Sequence, residues 1–193
     1  TTPLAAGSHT LHLDFTGVLN DKLRGFYRST YLDDDGVEQV IATTQMQSTD
    51  CRRAFPCWDE PEFKAVFGVR LDVAEGLTAI SSAPETERTT ADGRSVIRFD
   101  GVPLRVVHVP GKRHLTGFAL DCGPFCLRWF QDYYGIDYPG AKVDLVALPD
   151  FAAGAMENLG CITFRESLLL VDPEASTQTE RQLVADVIAH ELA

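Results

Sequence analysis

At 193 residues, with 45% hydrophobic and 23% charged residues, the chain has the make-up of a folded globular protein and not of a disordered or fibrous one. Its 17 Lys and Arg against 28 Asp and Glu give a formal charge of −11 with no basic stripe, which argues against nucleic acid or an anionic membrane surface as partner. No apolar run reaches the length of a membrane span and no signal pattern opens the sequence, while five scattered cysteines set the expectation of reduced thiols in a cytoplasmic protein.

The first hundred residues read as β structure. "TLHLDFTGVL" alternates Leu11, Leu13 and Phe15 against polar neighbours, the period of a half-buried strand. "GFYRSTYL" and "VEQVIATTQM" flank a hairpin turn at Asp35-Gly36. "KAVFGVRLDV" places Ala65, Phe67, Val69, Leu71 and Val73 on one face, and a second Asp-Gly pair precedes the strand "RSVIRF". An antiparallel sheet with one buried face is expected.

The pattern changes near residue 102. "LRVVHV" is a candidate strand ended by Pro110-Gly111. "HLTGFALDCGPFCLRWFQDYYG" has helical spacing, with Gly123-Pro124 expected to start or kink a helix. Cys122 and Cys126, four apart, can share a helix face and read as small buried apolar residues. "KVDLVAL" is a compact strand, and "GCITFRESLLLV" reads as one or two more. "STQTERQLVADVIAHELA" begins a helix with a capping box in the Thr177 and Glu180 frame. On it Leu183, Val187 and His190 form one stripe; Val184, Ile188 and Glu191 form the next.

Two stretches invite chemistry. In "DFAAGAMENLGCITF", Gly154 and Ala155 leave the backbone open to another chain, and Glu157 follows directly. A strand edge beside an acid can hold a short peptide by strand addition and pair with its free ammonium group. A tight turn with a capping Glu or Asn fits the same letters. The second stretch is His190-Glu191. A zinc reading needs His-Glu-x-x-His, whose histidines share a helix face, and the second would fall at position 194. A lone histidine on an apolar stripe is also an ordinary hydrogen-bonded core residue.

Gly154-Ala155-Met156-Glu157-Asn158 followed by His190-Glu191 resembles the zinc aminopeptidases of the aminopeptidase N family, as do "LNDKLRGFYRSTY" and "TTQMQSTDCRRAFPCWDEPEFKAVF". The resemblance implies an α+β fold. A partial, saddle-like antiparallel β domain (1–101) would precede the start of a thermolysin-like α/β catalytic domain (102–193). It implies that peptides with a free N-terminus are the substrates and zinc the cofactor. His190 would be the first zinc ligand and Glu191 the general base for the attacking water. Glu157 would bind the substrate ammonium, while Gly154, Ala155 and Met156 line the peptide's path. Asn158 would hold backbone or touch substrate. Gln47 stands where the family places an amine- or side-chain-binding residue, often Glu, and is expected to contact substrate.

The remaining expectations follow from the same letters. In "RRAFPCWDEP", Arg52 or Arg53 pairs with a neighbouring acid and the role is structural; His108 and His114 are not ligands. The chain opens without methionine and offers one zinc ligand, so it reads as an excerpt whose 193 residues alone lack activity. "SVIRFDGVPLRVV" joins two strands where the family inserts another, which looks like a deletion near residues 99–102. Two alternatives share the scaffold: a relative that also opens an epoxide lipid, and a non-catalytic peptide-binding module.

Overall fold

The computed structural model describes residues 6–60, 62–63, 65, 67–83, 85–99, 104–140 and 142–193. The chain divides into two compact units, Thr1–Arg28 with Ala42–Lys64, and Ser29–Ile41 with Ala65–Ala193.

β1 (Gly25–Leu32) and β2 (Glu38–Gln45) pair as a two-stranded sheet. Asp33 organises their turn: its Oδ1 accepts from the N–H of Asp35 (3.1 Å) and Val37 (2.8 Å), and its Oδ2 from Gln39 Nε2 (2.8 Å). Gly36 supplies the positive φ of +75° expected of the Asp35-Gly36 pair. The alternation of residues 10–19 does not become a strand. Leu11, Leu13 and Phe15 are exposed, and the sheet contact here is an isolated parallel bridge from Asn20 to Tyr27. Alternation defines a face, but a strand also needs a neighbour for its N–H and C=O groups, and none pairs with this stretch among the described residues.

β3 (Arg70–Ala74), β4 (Glu85–Ala91) and β5 (Arg94–Phe99) form an antiparallel sheet in the order β3-β5-β4. Asp92 and Gly93, at φ +52° and +69°, make the two-residue turn that joins β4 to β5. Of the strand expected over "KAVFGVRLDV", β3 takes the end: Leu71 and Val73 turn inward, Phe67 is exposed, and residues 64 and 66 lie outside the described residues. β4, "ETERTTA", lies exposed along its whole length. Its sequence carries no buried face to read, and it is a strand because β5 offers it a ladder. The shortened connection expected near residues 99–102 falls mostly on 100–103, outside the described residues.

A mixed sheet follows. β6 (Leu104–Val107), β7 (Val143–Leu148) and β9 (Cys161–Arg165) run parallel, and the short β8 (Ala155–Met156) pairs antiparallel with β9, in the order β6-β7-β9-β8. β7 is almost wholly buried, as a central parallel strand should be. α1 (Gly117–Tyr134) connects β6 to β7 and continues through Pro124, instead of starting there. The proline leaves the Leu120 carbonyl without its helical donor, and packing of the helix sustains the turn. Cys122 and Cys126 share a face of α1, their sulfurs 3.8 Å apart. Ala119 and Cys126 pack with Leu145, Ile162, Phe164 and Leu169 and with Val184 and Ile188 of α2 (Gln178–Leu192). Antiparallel sheets followed by a helix and a mixed sheet establish the α+β class. Among the described residues no helix is long and apolar enough to cross a membrane.

The capping box at the start of α2 is present as read. Thr177 Oγ1 accepts from the Glu180 N–H (3.2 Å), and Glu180 Oε2 accepts from the Thr177 N–H (2.7 Å). The Thr177 N–H, then its hydroxyl, hold the Glu180 carboxyl below the ordinary glutamate value. A carboxyl lowered by folding stabilises fully above its unfolded value, and that contribution is lost as pH falls through the folded one. Thr177→Ala is expected to cost about 1 kcal/mol at neutral pH. Thermal unfolding should also show a smaller loss of stability on acidification than in the unaltered chain.

Candidate active site

The Gly154–Asn158 segment is a sheet margin held at both ends. In β8, Ala155 pairs with Phe164 and Met156 with Thr163, and β8 stands last in its sheet. Arg165, at the end of β9, grips the approach: its N–H donates to Gly154 O (2.8 Å), Nε to Phe151 O (3.2 Å) and Nη2 to Ala152 O (2.8 Å). A Cβ on Gly154 would come within 3.1 Å of Leu168 Cδ1. Met156 is buried against Leu148 and Phe151, Ala155 is half-buried, and Glu157 is exposed. Asn158 uses its backbone for the turn that follows: its N–H donates to Met156 O (2.9 Å), and its carbonyl accepts from the Cys161 N–H (2.9 Å).

The turn ends on Gly160, which a larger residue cannot replace without movement. Its φ is +78°, and a Cβ would lie 2.2 Å from the Ser82 carbonyl oxygen. Its N–H donates to Tyr138 Oη (2.9 Å), and its carbonyl accepts from the Asp144 N–H (3.1 Å) and Lys142 Nζ (2.8 Å). Lys142 and Asp144 are both fully buried and paired, and Arg105 donates to both Asp144 oxygens at 2.8 Å. Parallel pairing of β6 and β7 sets Arg105 opposite Asp144. Sequence reading singles out none of Arg105, Lys142, Asp144 and Arg165. Lone charges at strand ends carry no signal until register is known.

α2 packs against β8 and brings its last turn to this margin. Of the two stripes, Val184 and Ile188 are buried together with Leu192, while Leu183 and His190 are exposed. Glu191 is half-buried, and its Oε2 is enclosed without a hydrogen-bond partner. Burial first, and the Glu157 carboxylate second, push the Glu191 carboxyl above the ordinary glutamate value, with His190 opposing. Glu157 and Glu191, thirty-four positions apart, thus feel each other's charge.

The other expected site residue, Gln47, is exposed just beyond β2 and belongs to the first unit. Gln45, assigned no chemistry from sequence, has a buried Oε1 without a partner. "RRAFPCWDEP" is clipped as read: Arg52 pairs with Asp59 at 2.8 Å and Arg53 with Asp50 at 2.5 Å. His108 Nδ1 lies 2.7 Å from Val109 O. For zinc, His190 offers one imidazole and Glu191 an unpartnered carboxylate oxygen, which fits such a centre in kind. No group of three metal-binding side chains gathers around His190 among the described residues, so these two do not close a shell.

Glu157 thus stands on a sheet margin beside the helix that carries His190 and Glu191. Residues 1–104 match the Peptidase M1 N-terminal domain and residues 118–193 the Peptidase family M1 domain. The chain belongs to peptidase family M1. It is 43% identical over 211 residues to the puromycin-sensitive aminopeptidase of Caenorhabditis elegans, covering 95% of this chain and 22% of that protein. It is 40% identical over 216 residues to aminopeptidase M1 of Arabidopsis thaliana, covering 98% of this chain and 24% of that one. Against the alanine/arginine aminopeptidase of Saccharomyces cerevisiae it is 39% identical over 212 residues, covering 96% and 25%. The chain thus spans about a quarter of the length of the curated relatives it matches. These matched stretches exceed the 193 residues present, so the relatives hold residues within them that this chain lacks.

Proposed function

We propose that the whole protein is a zinc-dependent aminopeptidase that releases N-terminal residues from peptides. Family membership and the aminopeptidase names of its relatives support the reaction class. The observation that carries the assignment of roles is the pairing of an exposed acid, Glu157, on a sheet margin with the half-buried Glu191 of the adjoining helix.

In this reading the substrate lies along β8, where Gly154, Ala155 and Met156 accept its backbone as an added strand. Glu157 pairs with the free ammonium and sets the distance from that end to the cleaved bond. A fixed carboxylate at this end favours a charged terminus over an acylated one, which makes the enzyme an exopeptidase. Asn158 holds the turn that presents Glu157, and Gln47 accepts a hydrogen bond from substrate with less electrostatic gain than a glutamate would give. His190 would hold the zinc ion together with ligands beyond these residues. When bound, zinc would polarise the scissile carbonyl and make water easier to deprotonate. Glu191 takes a proton from the attacking water at Oε2, an oxygen with no competing donor.

We also infer domains at 1–101 and 102–193, because the sheet changes from antiparallel to mixed across that point, although the compact units cut the chain elsewhere. The five cysteines are all free thiols, which supports a cytoplasmic setting.

Glu157→Gln tests the reading directly. Loss of a charge-assisted hydrogen bond is worth about 1.5–3 kcal/mol, so kcat/KM on a free-amine peptide should fall about 10- to 100-fold in the whole protein. Discrimination against the N-acetylated peptide should shrink with it. An unchanged ratio between the two substrates would remove Glu157 from the site.

A further inference from the structure

Residues 50–60 hold a second chemical grouping that the aminopeptidase reading does not use. Cys51 opens a single turn of 3-10 helix, Cys51–Arg53. The Arg52 N–H (3.0 Å) and Nε (2.8 Å) both donate to Asp59 Oδ2, and Nη2 reaches Asp59 O (3.3 Å). This clip closes residues 52–59 into a loop and carries Cys57 and Asp59 back to Cys51. The two sulfurs and one Asp59 oxygen all lie within 4.8 Å of one another, and all three residues are half-buried. All of them belong to the first unit.

We propose that Cys51, Cys57 and Asp59 form a binding site for a thiophilic divalent cation, zinc foremost, with a fourth position open to water or another donor. Donor chemistry comes first: two thiolates and a carboxylate suit zinc, and thiolates select it against magnesium or calcium. Geometry agrees. A tetrahedral shell with the usual Zn–S and Zn–O lengths separates its donors by about 3.3–3.8 Å, so small side-chain rotations close the gap from 4.8 Å or less. Arg52 supplies the outer support that metal-binding carboxylates commonly have, and both of its bonds to the carboxylate fall on Oδ2, while a carboxylate has a second oxygen to offer. Binding exchanges the protons: one divalent cation enters, two S–H bonds break, two metal–sulfur bonds form, and both protons leave to solvent.

The test uses the full chain kept reduced, with Co²⁺ alone and Zn²⁺ alone as probes. One equivalent of Co²⁺ should give a thiolate-to-metal charge-transfer band, with about two protons released per ion. The band should vanish in Cys51→Ser and in Cys57→Ser, weaken about tenfold in affinity in Asp59→Asn, and persist in His190→Gln and in the Cys122→Ser, Cys126→Ser double variant. Zn²⁺ should also protect Cys51 and Cys57 of the unaltered chain from alkylation, read by peptide mass, which needs no variant to fold. A band that survives Cys51→Ser, or depends on Cys122 and Cys126, would overturn the proposal. So would unchanged alkylation of Cys51 and Cys57 under zinc, or a Cys51–Cys57 disulfide forming in place of metal uptake.

Discussion

Glu191→Gln should lower kcat of the whole protein on an alanyl or leucyl chromogenic substrate by about 10²- to 10⁴-fold, the usual share of a general base. Shape is nearly conserved, so the loss isolates the proton-accepting oxygen. The substitution removes a charge from a half-buried position where Oε2 has no hydrogen-bond partner and where the Glu157 carboxylate opposes ionisation. Stability should therefore hold or rise while turnover falls, since burying a neutral amide costs less than burying an unpaired charge. Zinc content by mass spectrometry and the unfolding midpoint separate the two effects. Wild-type kcat in a variant with a full complement of zinc would exclude Glu191 as the base.

Asp144→Ala is expected to be the most destabilising single change in the second unit. Asp144 is fully buried, bonded to Lys142 Nζ and to Arg105 through both oxygens. Its removal strands the fully buried Lys142 ammonium with the Gly160 carbonyl as its remaining partner, and breaking one side of such a pair costs about 3–5 kcal/mol. Lys142→Met combined with Asp144→Leu should cost less than the two single changes added, because the buried pair leaves together and the remaining Arg105 is half exposed to water. Urea unfolding of the four chains completes the cycle. Strict additivity would mean that the two residues act independently and that the Gly160 anchor needs no ion pair.

The sequence makes visible those elements whose stabilisation is local. Thr177 and Glu180 announce α2 because the capping box closes within one turn. Asp92-Gly93 announces a hairpin because two consecutive positive φ values need those residues. Period alone misleads where pairing is not local: residues 10–19 alternate and stay unpaired, while β4 has no apolar face and is a strand. The candidate site divides in the same way. The helical stripe bearing Glu191 follows from spacing, but it takes the packing of α2 on β8 to bring Glu191 within the field of Glu157. Family resemblance suggests that meeting, and hydropathy could not have. The Arg165 grip depends on antiparallel pairing of β8 with β9, and the Lys142–Asp144–Arg105 cluster on parallel register; no single stretch encodes either.

In the proposed aminopeptidase, the brevity of β8 would bear on which peptides are processed. A margin of two residues offers an incoming chain about two or three ladder bonds. Lengthening a peptide beyond its first few positions would then add little grip, and most of the selectivity would reside in the positively charged head. A catalyst built this way should trim many unrelated chains at comparable efficiency, with pocket shape adjusting the order among them.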